Sequence, residues 1–232
     1  MIEKREFNSL GRFKNDWLNA RYHFSFGQYH DLKRTQWGTI RVWNDDEIEP
    51  GTGFDPHSHA DMEIITYVRE GAITHQDSLG NVGRTEAGDV QVMSAGNGIT
   101  HAEYNKETTK TQLYQIWILP EAQGAPPSWG AAKFPKGDRS GQFVTLASGF
   151  SEDSQALPIR QKARVMGASL RAGETVSYAL DAGRHAYLAA AKGVVTLNGI
   201  DLYERDGAAI KDEPILTIQA VVDAELVLVD AP

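Results

Sequence analysis

The sequence predicts an all-β protein built from two β-units in tandem, and three observations support this fold class. Helical periodicity is scarce along the 232 residues. Short runs of β-branched and aromatic residues are instead separated by Gly, Pro, Asn and Asp, a pattern typical of antiparallel sandwiches and barrels. A stretch rich in Pro and Gly then divides the chain near its middle. The length is sufficient for one large β-domain or two small ones.

Eleven segments have the length and composition of strands. They are Gly38–Trp43, Met62–Arg69, Asp89–Met93, Leu113–Leu119, Phe143–Ala147, Thr175–Ala179, His185–Ala191, Val194–Leu197, Ala208–Ile210, Leu216–Gln219 and Glu225–Val229. Three connections carry turn residues, namely Ser78-Leu79-Gly80-Asn81, Glu86-Ala87-Gly88-Asp89 and Asn198-Gly199. These sequences favour hairpins.

The stretch from Pro120 to Gly141 has Pro126-Pro127 near its centre and is otherwise rich in Gly, Ala and small polar residues. This composition predicts a linker between two units of similar length. We therefore expect an N-terminal domain over residues 1–130 and a C-terminal domain over residues 131–232.

Composition and charge exclude several classes of function. The chain has no cysteine, which excludes disulfides, thiolate zinc sites and iron–sulfur clusters and fits a reducing compartment. A net charge of −8 without a run of Lys and Arg gives no electrostatic basis for direct nucleic-acid binding. Apolar stretches are too short to cross a bilayer, and the charged N-terminus does not resemble a signal peptide. We expect a cytoplasmic protein without a membrane partner, and a monomer, because two barrels cover many of their own strand edges.

Two short patterns carry the chemistry. They are His57-Ser58-His59 and His101-Ala102-Glu103. In an extended chain, residues i and i+2 project from the same face, so each pattern directs two potential ligands the same way at a spacing of about 6.6 Å. If two such strands face each other in a barrel, their four side chains converge on one point.

Three imidazoles and one carboxylate suit a divalent transition metal, because calcium and magnesium prefer shells of oxygen ligands. Iron, nickel, cobalt, manganese, copper and zinc all remain open on ligand type alone. Four protein ligands around an octahedral ion leave two positions free, as a catalytic site requires.

A single His-x-His pattern is more often accidental or a hydrogen-bonded pair than a set of metal ligands, and the second pattern makes chance a weaker explanation. Glu63 is the competing carboxylate. It lies four residues beyond His59, about 13 Å away in a regular strand. We therefore expect Glu63 to have a core or supporting role.

The remaining histidines are expected to have other roles. His75 and Asp77 either support a metal ligand by hydrogen bonding or cap the hairpin that follows, and the hairpin role is favoured. His23, His30 and His185 are expected to be ordinary surface or hydrogen-bonded residues.

The residues around the two patterns resemble a known family. Gly51, His57, His59, Glu63 and Gly71 are spaced as in the first cupin motif, and Gly88, Ser94, Gly96, His101 and Asn105 as in the second. The longer string from Asn44-Asp45-Asp46 to His101-x-Glu103, including Asp61-Met62-Glu63-Ile64 and His75-x-Asp77-Ser78, resembles the pirin family. The likeness is dense from about Trp17 to Pro120 and weak beyond. Ser58 stands where many pirins have proline.

The resemblance implies two tandem cupin barrels of jelly-roll type. It implies that His57, His59, His101 and Glu103 hold one divalent metal in the N-terminal barrel, with iron ranked first. The C-terminal barrel would be degenerate and metal-free. This agrees with the sequence of that half, where the one histidine, His185, has no carboxylate two residues later.

The resemblance also implies two functions of different classes. Bacterial pirins include quercetinases, which open the central ring of a flavonol with O2, so a flavonol-like aromatic substrate is expected and Glu103 is the candidate catalytic proton acceptor. Animal pirins are metal-dependent transcription cofactors, so the alternative is a metal- or redox-responsive regulator that binds a protein partner. A cupin isomerase, or a dioxygenase of another metabolite, is a third possibility. The enzyme is the preferred hypothesis.

Overall fold

The computed structural model describes residues 1–134 and 136–232, and antiparallel strands dominate them. The strands are β1 (Ile2–Arg5), β2 (Gly11–Lys14), β3 (Leu18–Tyr22), β4 (Ile40–Ile48), β5 (Gly53–His59), β6 (Glu63–Glu70), β7 (Ala72–Asp77), β8 (Val82–Glu86), β9 (Val90–Ser94), β10 (Ile99–Tyr104), β11 (Thr111–Ile118), β12 (Ser128–Ala132), β13 (Val144–Ser148), β14 (Leu157–Pro158), β15 (Arg164–Leu170), β16 (Thr175–Ala179), β17 (His185–Lys192), β18 (Val195–Leu197), β19 (Ile200–Leu202), β20 (Gly207–Lys211), β21 (Ile215–Ala220) and β22 (Ala224–Ala231). Single-turn 3₁₀ helices cover Phe7–Ser9 and Lys136–Arg139. The predicted all-β class is confirmed, and each of the eleven predicted segments overlaps a strand.

The chain forms two compact units. Unit N comprises Gly11–Phe134 and Leu157–Gln161, and unit C comprises Met1–Leu10, Pro135–Ala156 and Lys162–Pro232. From the sequence we expected domains over residues 1–130 and 131–232. Met1–Leu10 were expected in the first of these domains, but they belong to unit C.

Unit N consists of two antiparallel sheets. One has the strand order β12-β9-β6-β11-β4-β3-β2 and the other β5-β10-β7-β8. Inward-facing apolar residues of both sheets form its core; Leu18, Val68 and Leu113 of the larger sheet pack with Ile73 of the smaller one. Strand β3 shows the period of two that such a sheet requires, with alternating buried and half-buried residues.

Unit C has the same two-sheet arrangement. Its strands follow the order β1-β20-β17-β22-β15-β13 in one sheet and β16-β21-β18-β19 in the other. The core contains Leu188 and Leu228 from the first sheet, and Leu197 and Ile218 from the second. The N-terminal strand β1 pairs with β20, with Ile2 opposite Ile210.

The predicted linker contains an ordered strand. Strand β12 lies within Pro120–Gly141 and pairs with β9, with Trp129 opposite Met93. The proposal of a simple linker is therefore wrong for this segment. The small residues of β12 resemble those of a linker, because a strand at a sheet edge needs few apolar side chains of its own.

Two of the predicted turns connect hairpins. The turn after Asp77 joins β7 to β8, and Gly80 has a φ of 89° there. Asn198 and Gly199 both have positive φ and join β18 to β19, as expected for an Asn-Gly hairpin. The turn at Glu86–Asp89 instead passes from the smaller sheet of unit N to the larger one. Among the described residues, no helix is long and apolar enough to span a membrane.

Candidate metal centre

Strands β5 and β10 place the two predicted ligand pairs side by side. The strands are antiparallel neighbours, and His57 lies directly opposite His101. The next pair joins Glu103 to Phe54. Strand β5 therefore has one extra residue at Asp55-Pro56 and forms a β-bulge. A bulge suits the proline of this pair, because proline has no N–H to contribute to the ladder.

Three imidazoles converge beside this bulge. One ring nitrogen from each of His57, His59 and His101 lies within 4.8 Å of those of the other two. The Nε2 atoms of His57 and His101 are 3.1 Å apart, and Nε2 of His59 is buried without a hydrogen-bond partner among the described residues. Two nitrogens bound at about 2.1 Å to neighbouring positions of one octahedral ion lie about 3 Å apart. The spacing and the unpartnered nitrogen therefore fit a transition-metal ion.

The backbone fixes which nitrogen of His57 faces the centre. Nδ1 of His57 lies 2.7 Å from the carbonyl oxygen of Asp55. Because a carbonyl oxygen only accepts hydrogen bonds, Nδ1 carries a proton, and in the neutral ring Nε2 then presents its lone pair. A neutral imidazole with a free Nε2 is the form that binds metal.

Burial keeps two of these histidines neutral. It lowers the pKa of His59 to about 4, and the neighbouring His57 adds to the effect. Burial also lowers the pKa of His101 to about 3, with further contributions from His57 and His59. Both side chains are therefore free of competing protons at neutral pH.

Glu103 lies deep beside the histidines. It is 3% exposed. Burial raises its pKa, three hydrogen bonds lower it, and burial has the larger effect, so the pKa is about 7. Its carboxylate forms a second group with His101 and His75, whose potential ligand atoms also lie within 4.8 Å of one another. His57 and His59 lie outside that second group. The structure thus unites the three predicted histidine ligands, and Glu103 as fourth ligand stays a prediction.

Three polar side chains hold the Glu103 carboxylate in place. Nε2 of Gln91 donates to Oε1 at 2.6 Å, Thr66 Oγ1 donates to the same oxygen at 3.3 Å, and Nε2 of Gln115 donates to Oε2. Sequence reasoning did not identify these residues. The sequence feature that could have identified them is a polar residue between apolar residues of a strand, as in Val90-Gln91-Val92.

Glu63 is buried, as expected for the core role that was one of its two predicted roles. Its Oε2 accepts a hydrogen bond from Ser94 Oγ at 2.6 Å and another from the backbone N–H of Arg160 at 3.1 Å. Burial raises the pKa of Glu63. It belongs to neither group of potential metal ligands found among the described residues, so its role is to join strands within unit N.

Asp77 caps the β7–β8 hairpin as predicted. Its Oδ1 accepts hydrogen bonds from the backbone N–H groups of Leu79 at 2.9 Å and Asn81 at 3.1 Å. His75 is not part of the turn. It is fully buried and lies behind His101, on the side away from His57. Among the described residues, His23, His30 and His185 lie in neither ligand group.

A cavity of about 460 Å³ opens onto the three histidines and Glu103. Its other walls include five aromatic residues, Trp17, Tyr22, Phe26, Phe54 and Trp117, and the two carboxylates Asp46 and Asp55. The indole of Trp117 meets His59 edge-on, with ring centroids 4.9 Å apart. An apolar cavity with a few polar groups at one place is the usual form of a small-molecule site.

The fold and the site define a class of protein. Two units of paired antiparallel sheets, one of which directs three imidazoles into a cavity, characterise a metal-binding bicupin. The family model described as Pirin matches residues 3–118, and that described as the quercetinase C-terminal cupin domain matches residues 145–231. The chain belongs to the pirin family. The predicted family and bicupin fold are both confirmed.

Relatives and solved structures agree with this assignment. The chain is 64% identical to a pirin-like protein of Caulobacter vibrioides over the whole of both chains. It is 40% identical to quercetin 2,3-dioxygenase of Escherichia coli K12, over 100% of this chain and 99% of the other. The crystal structure of the E. coli pirin YhhW in complex with nickel(II) superposes with a TM-score of 0.93 at 39% identity, covering 100% of this chain and 99% of that one. A transition-metal site in this chain is thus supported by both its side chains and its relatives.

Proposed function

We propose that this chain is a metal-dependent dioxygenase that cleaves flavonols such as quercetin with O2. The observation that carries the proposal is the placement of three imidazoles and a buried carboxylate on the wall of a cavity lined by several aromatic side chains. The related E. coli protein bears the name quercetin 2,3-dioxygenase. We expect iron first among the candidate ions.

The proposed ligands are His57, His59, His101 and Glu103. When bound, the metal supplies a Lewis acid toward the flavonol hydroxyl and allows O2 to enter the reaction. Strand register and the bulge place the backbones of the three histidines beside one another.

Glu103 is the proposed proton acceptor. It lines the cavity beside the histidines and shares a group of potential ligand atoms with His101, whereas Asp46 and Asp55, the other carboxylates of the cavity wall, belong to neither ligand group. Among the described residues, no lysine or arginine lines that cavity. Hydrogen bonds from Gln91 and Gln115 to opposite oxygens orient it. A flavonol hydroxyl would transfer its proton to Glu103 as the substrate binds, leaving the oxygen with the electron pair that the ring opening requires.

The aromatic walls account for the substrate class. A flavonol is flat and largely apolar, and Trp17, Phe54 and Trp117 offer rings against which it can pack. Trp17 and Phe54 already contact each other edge-on at 5.1 Å. In the overall reaction both atoms of O2 enter the ring-opened ester, the flavonol carbon that bears the hydroxyl leaves with its own oxygen as carbon monoxide, and no external reductant is needed.

The test is anaerobic reconstitution of metal-stripped protein with Fe, Mn, Co, Ni, Cu and Zn in turn. Each form is assayed for O2 uptake, flavonol bleaching and carbon monoxide, beside the double variant His57→Ala/His101→Ala. We expect one ion to support all three signals and the double variant to support none. Tight metal binding with no turnover for any ion would contradict the proposal.

One surface feature favours the regulatory alternative as a second candidate. Leu79 and Val82 are 51% and 65% exposed, at the tip of the hairpin that Asp77 caps. A protein partner that covers this tip would contact a segment linked by hydrogen bonds to His101. A protein that binds metal but has no turnover would favour the regulatory function over the enzyme.

A further inference from the structure

Behind the metal centre, a row of side chains runs from His101 to the β7–β8 turn. Nδ1 of His101 lies 3.4 Å from Nδ1 of His75. Nε2 of His75 lies 2.9 Å from Oδ2 of Asp77. Strand pairing produces this row, because Asp77 is opposite His101 and His75 is opposite Glu103 across β7 and β10.

The direction of each hydrogen bond in the row follows from its anchored end. The Asp77 carboxylate accepts four hydrogen bonds from Leu79 and Asn81. Because an ionised carboxylate only accepts hydrogen bonds, Nε2 of His75 is the donor in its contact with Oδ2 and carries a proton. In a neutral ring Nδ1 of His75 is then an acceptor. It receives a hydrogen bond from Nδ1 of His101, which leaves Nε2 of His101 without a proton and facing His57.

Packing holds the middle of this row rigid. His75 is completely buried and stacks flat on Trp129, with ring centroids 4.8 Å apart and an interplanar angle of 8°. Gly83 lies opposite His75 on β8. A Cβ on Gly83 would come within 2.1 Å of the Trp129 ring, so the absence of a side chain there is what admits the indole.

We propose that His75 is the positioning residue of the metal centre and Asp77 is its anchor. Together they hold the proton of His101 on Nδ1 and so present Nε2 to the ion. A hydrogen bond on the far nitrogen of a histidine ligand typically changes metal affinity by about 10–100-fold. The inference rests on the proposed metal site and is independent of the proposed reaction.

Asp77→Asn is the most informative variant. The asparagine Oδ1 can still accept from the backbone N–H groups of Leu79 and Asn81, so the turn keeps its cap and loses only the contact from Asn81 Nδ2 to Oδ2. Its amide donates to Nε2 of His75, which moves the proton of His75 to Nδ1 and that of His101 to Nε2. His75→Phe removes both hydrogen bonds and retains the aromatic stack on Trp129. His185→Phe, in unit C, is the matched control.

Three quantities are measured for each variant: nickel(II) affinity by competition with a chelator, the unfolding temperature of the metal-free protein, and the ring tautomers by long-range ¹H–¹⁵N NMR. We expect the affinity to fall about 10–100-fold in Asp77→Asn and His75→Phe and not in His185→Phe. In metal-free Asp77→Asn the proton of His101 should be found on Nε2, with an unfolding temperature close to that of the wild type.

Unchanged affinity and tautomers in Asp77→Asn and His75→Phe would overturn the inference. So would two nickel ions per wild-type chain, because His75 would then be a ligand itself. A wild-type chain that binds no metal would remove the proposed site, whereas a wild type that binds metal without turnover would leave this inference intact and refute only the reaction.

Discussion

The Nε2 atoms of His57 and His101 lie 3.1 Å apart, although the two residues are 44 positions apart in the chain. Both nitrogens lack a proton when Nδ1 of each ring donates its hydrogen bond elsewhere. Two facing lone pairs at this distance repel each other unless a cation lies between them. The short distance between His57 and His101 therefore indicates that both rings bind the same metal ion.

Removal of any histidine from the trio should abolish tight metal binding. We expect His57→Ala, His59→Ala and His101→Ala each to lose more than about 100-fold in nickel(II) affinity, since each loses a ligand and not only its support. The measurement is chelator competition at pH 7. His30→Ala, an exposed histidine, is the control, and equal affinity in the four proteins would refute the ligand assignment.

Glu103→Gln should retain metal and lose turnover. The three histidines remain, so the variant should load at saturating metal, while flavonol cleavage falls about 10²–10⁴-fold for want of a proton acceptor. Metal content is determined alongside the rate of bleaching. Full activity in the metal-loaded variant would exclude the proposed role of Glu103.

Metal affinity should depend on pH through Glu103. Its pKa of about 7 means that below pH 7 an incoming ion displaces the Glu103 proton, and this displacement alone should lower affinity about tenfold per pH unit between pH 7 and pH 5. His59 and His101 add no further protons in this range, because their pKa values are about 4 and 3.

The matched measurement uses Glu103→Gln over the same pH range. Without the carboxyl proton, its weaker affinity should fall less steeply than that of the wild type from pH 7 to pH 5. The same slope in both proteins would show that Glu103 is not a ligand.

Gly53→Ala should damage the site from the neighbouring strand. A Cβ at Gly53 would lie 2.1 Å from the backbone oxygen of Glu103 and 2.6 Å from Cα of Tyr104, at the bulge that sets the ligand register. Moving β10 away costs about 1–3 kcal/mol in the free energy of unfolding, and nickel(II) affinity should fall with it.

Gly130→Ala is the control for this substitution, because the nearest atom to its Cβ would be a Leu157 methyl group at an ordinary 3.6 Å. Denaturant unfolding and metal titration of both variants make the comparison. Equal behaviour of the two would show that β10 yields at the bulge without affecting the site.

The sequence by itself determined the family, the all-β class and the histidine pairs. These are local features: alternating apolar runs, Asn-Gly turns and His-x-His spacing are legible within a few residues. Strands β5 and β10, which carry the ligands, were absent from the predicted strands because His57-Ser58-His59 and His101-Ala102-Glu103 lack the apolar residues by which strands are found.

The tertiary structure decided what the ligand pairs meet. It set the register of β5 on β10, with its bulge at Asp55-Pro56, and placed His75 behind His101. It gathered Gln91, Thr66 and Gln115 from three strands around Glu103. It also paired Ile2 with Ile210. Such contacts join residues that are far apart in the sequence. They depend on the strand pairing and side-chain packing of the whole unit, so they cannot be predicted from a local sequence pattern.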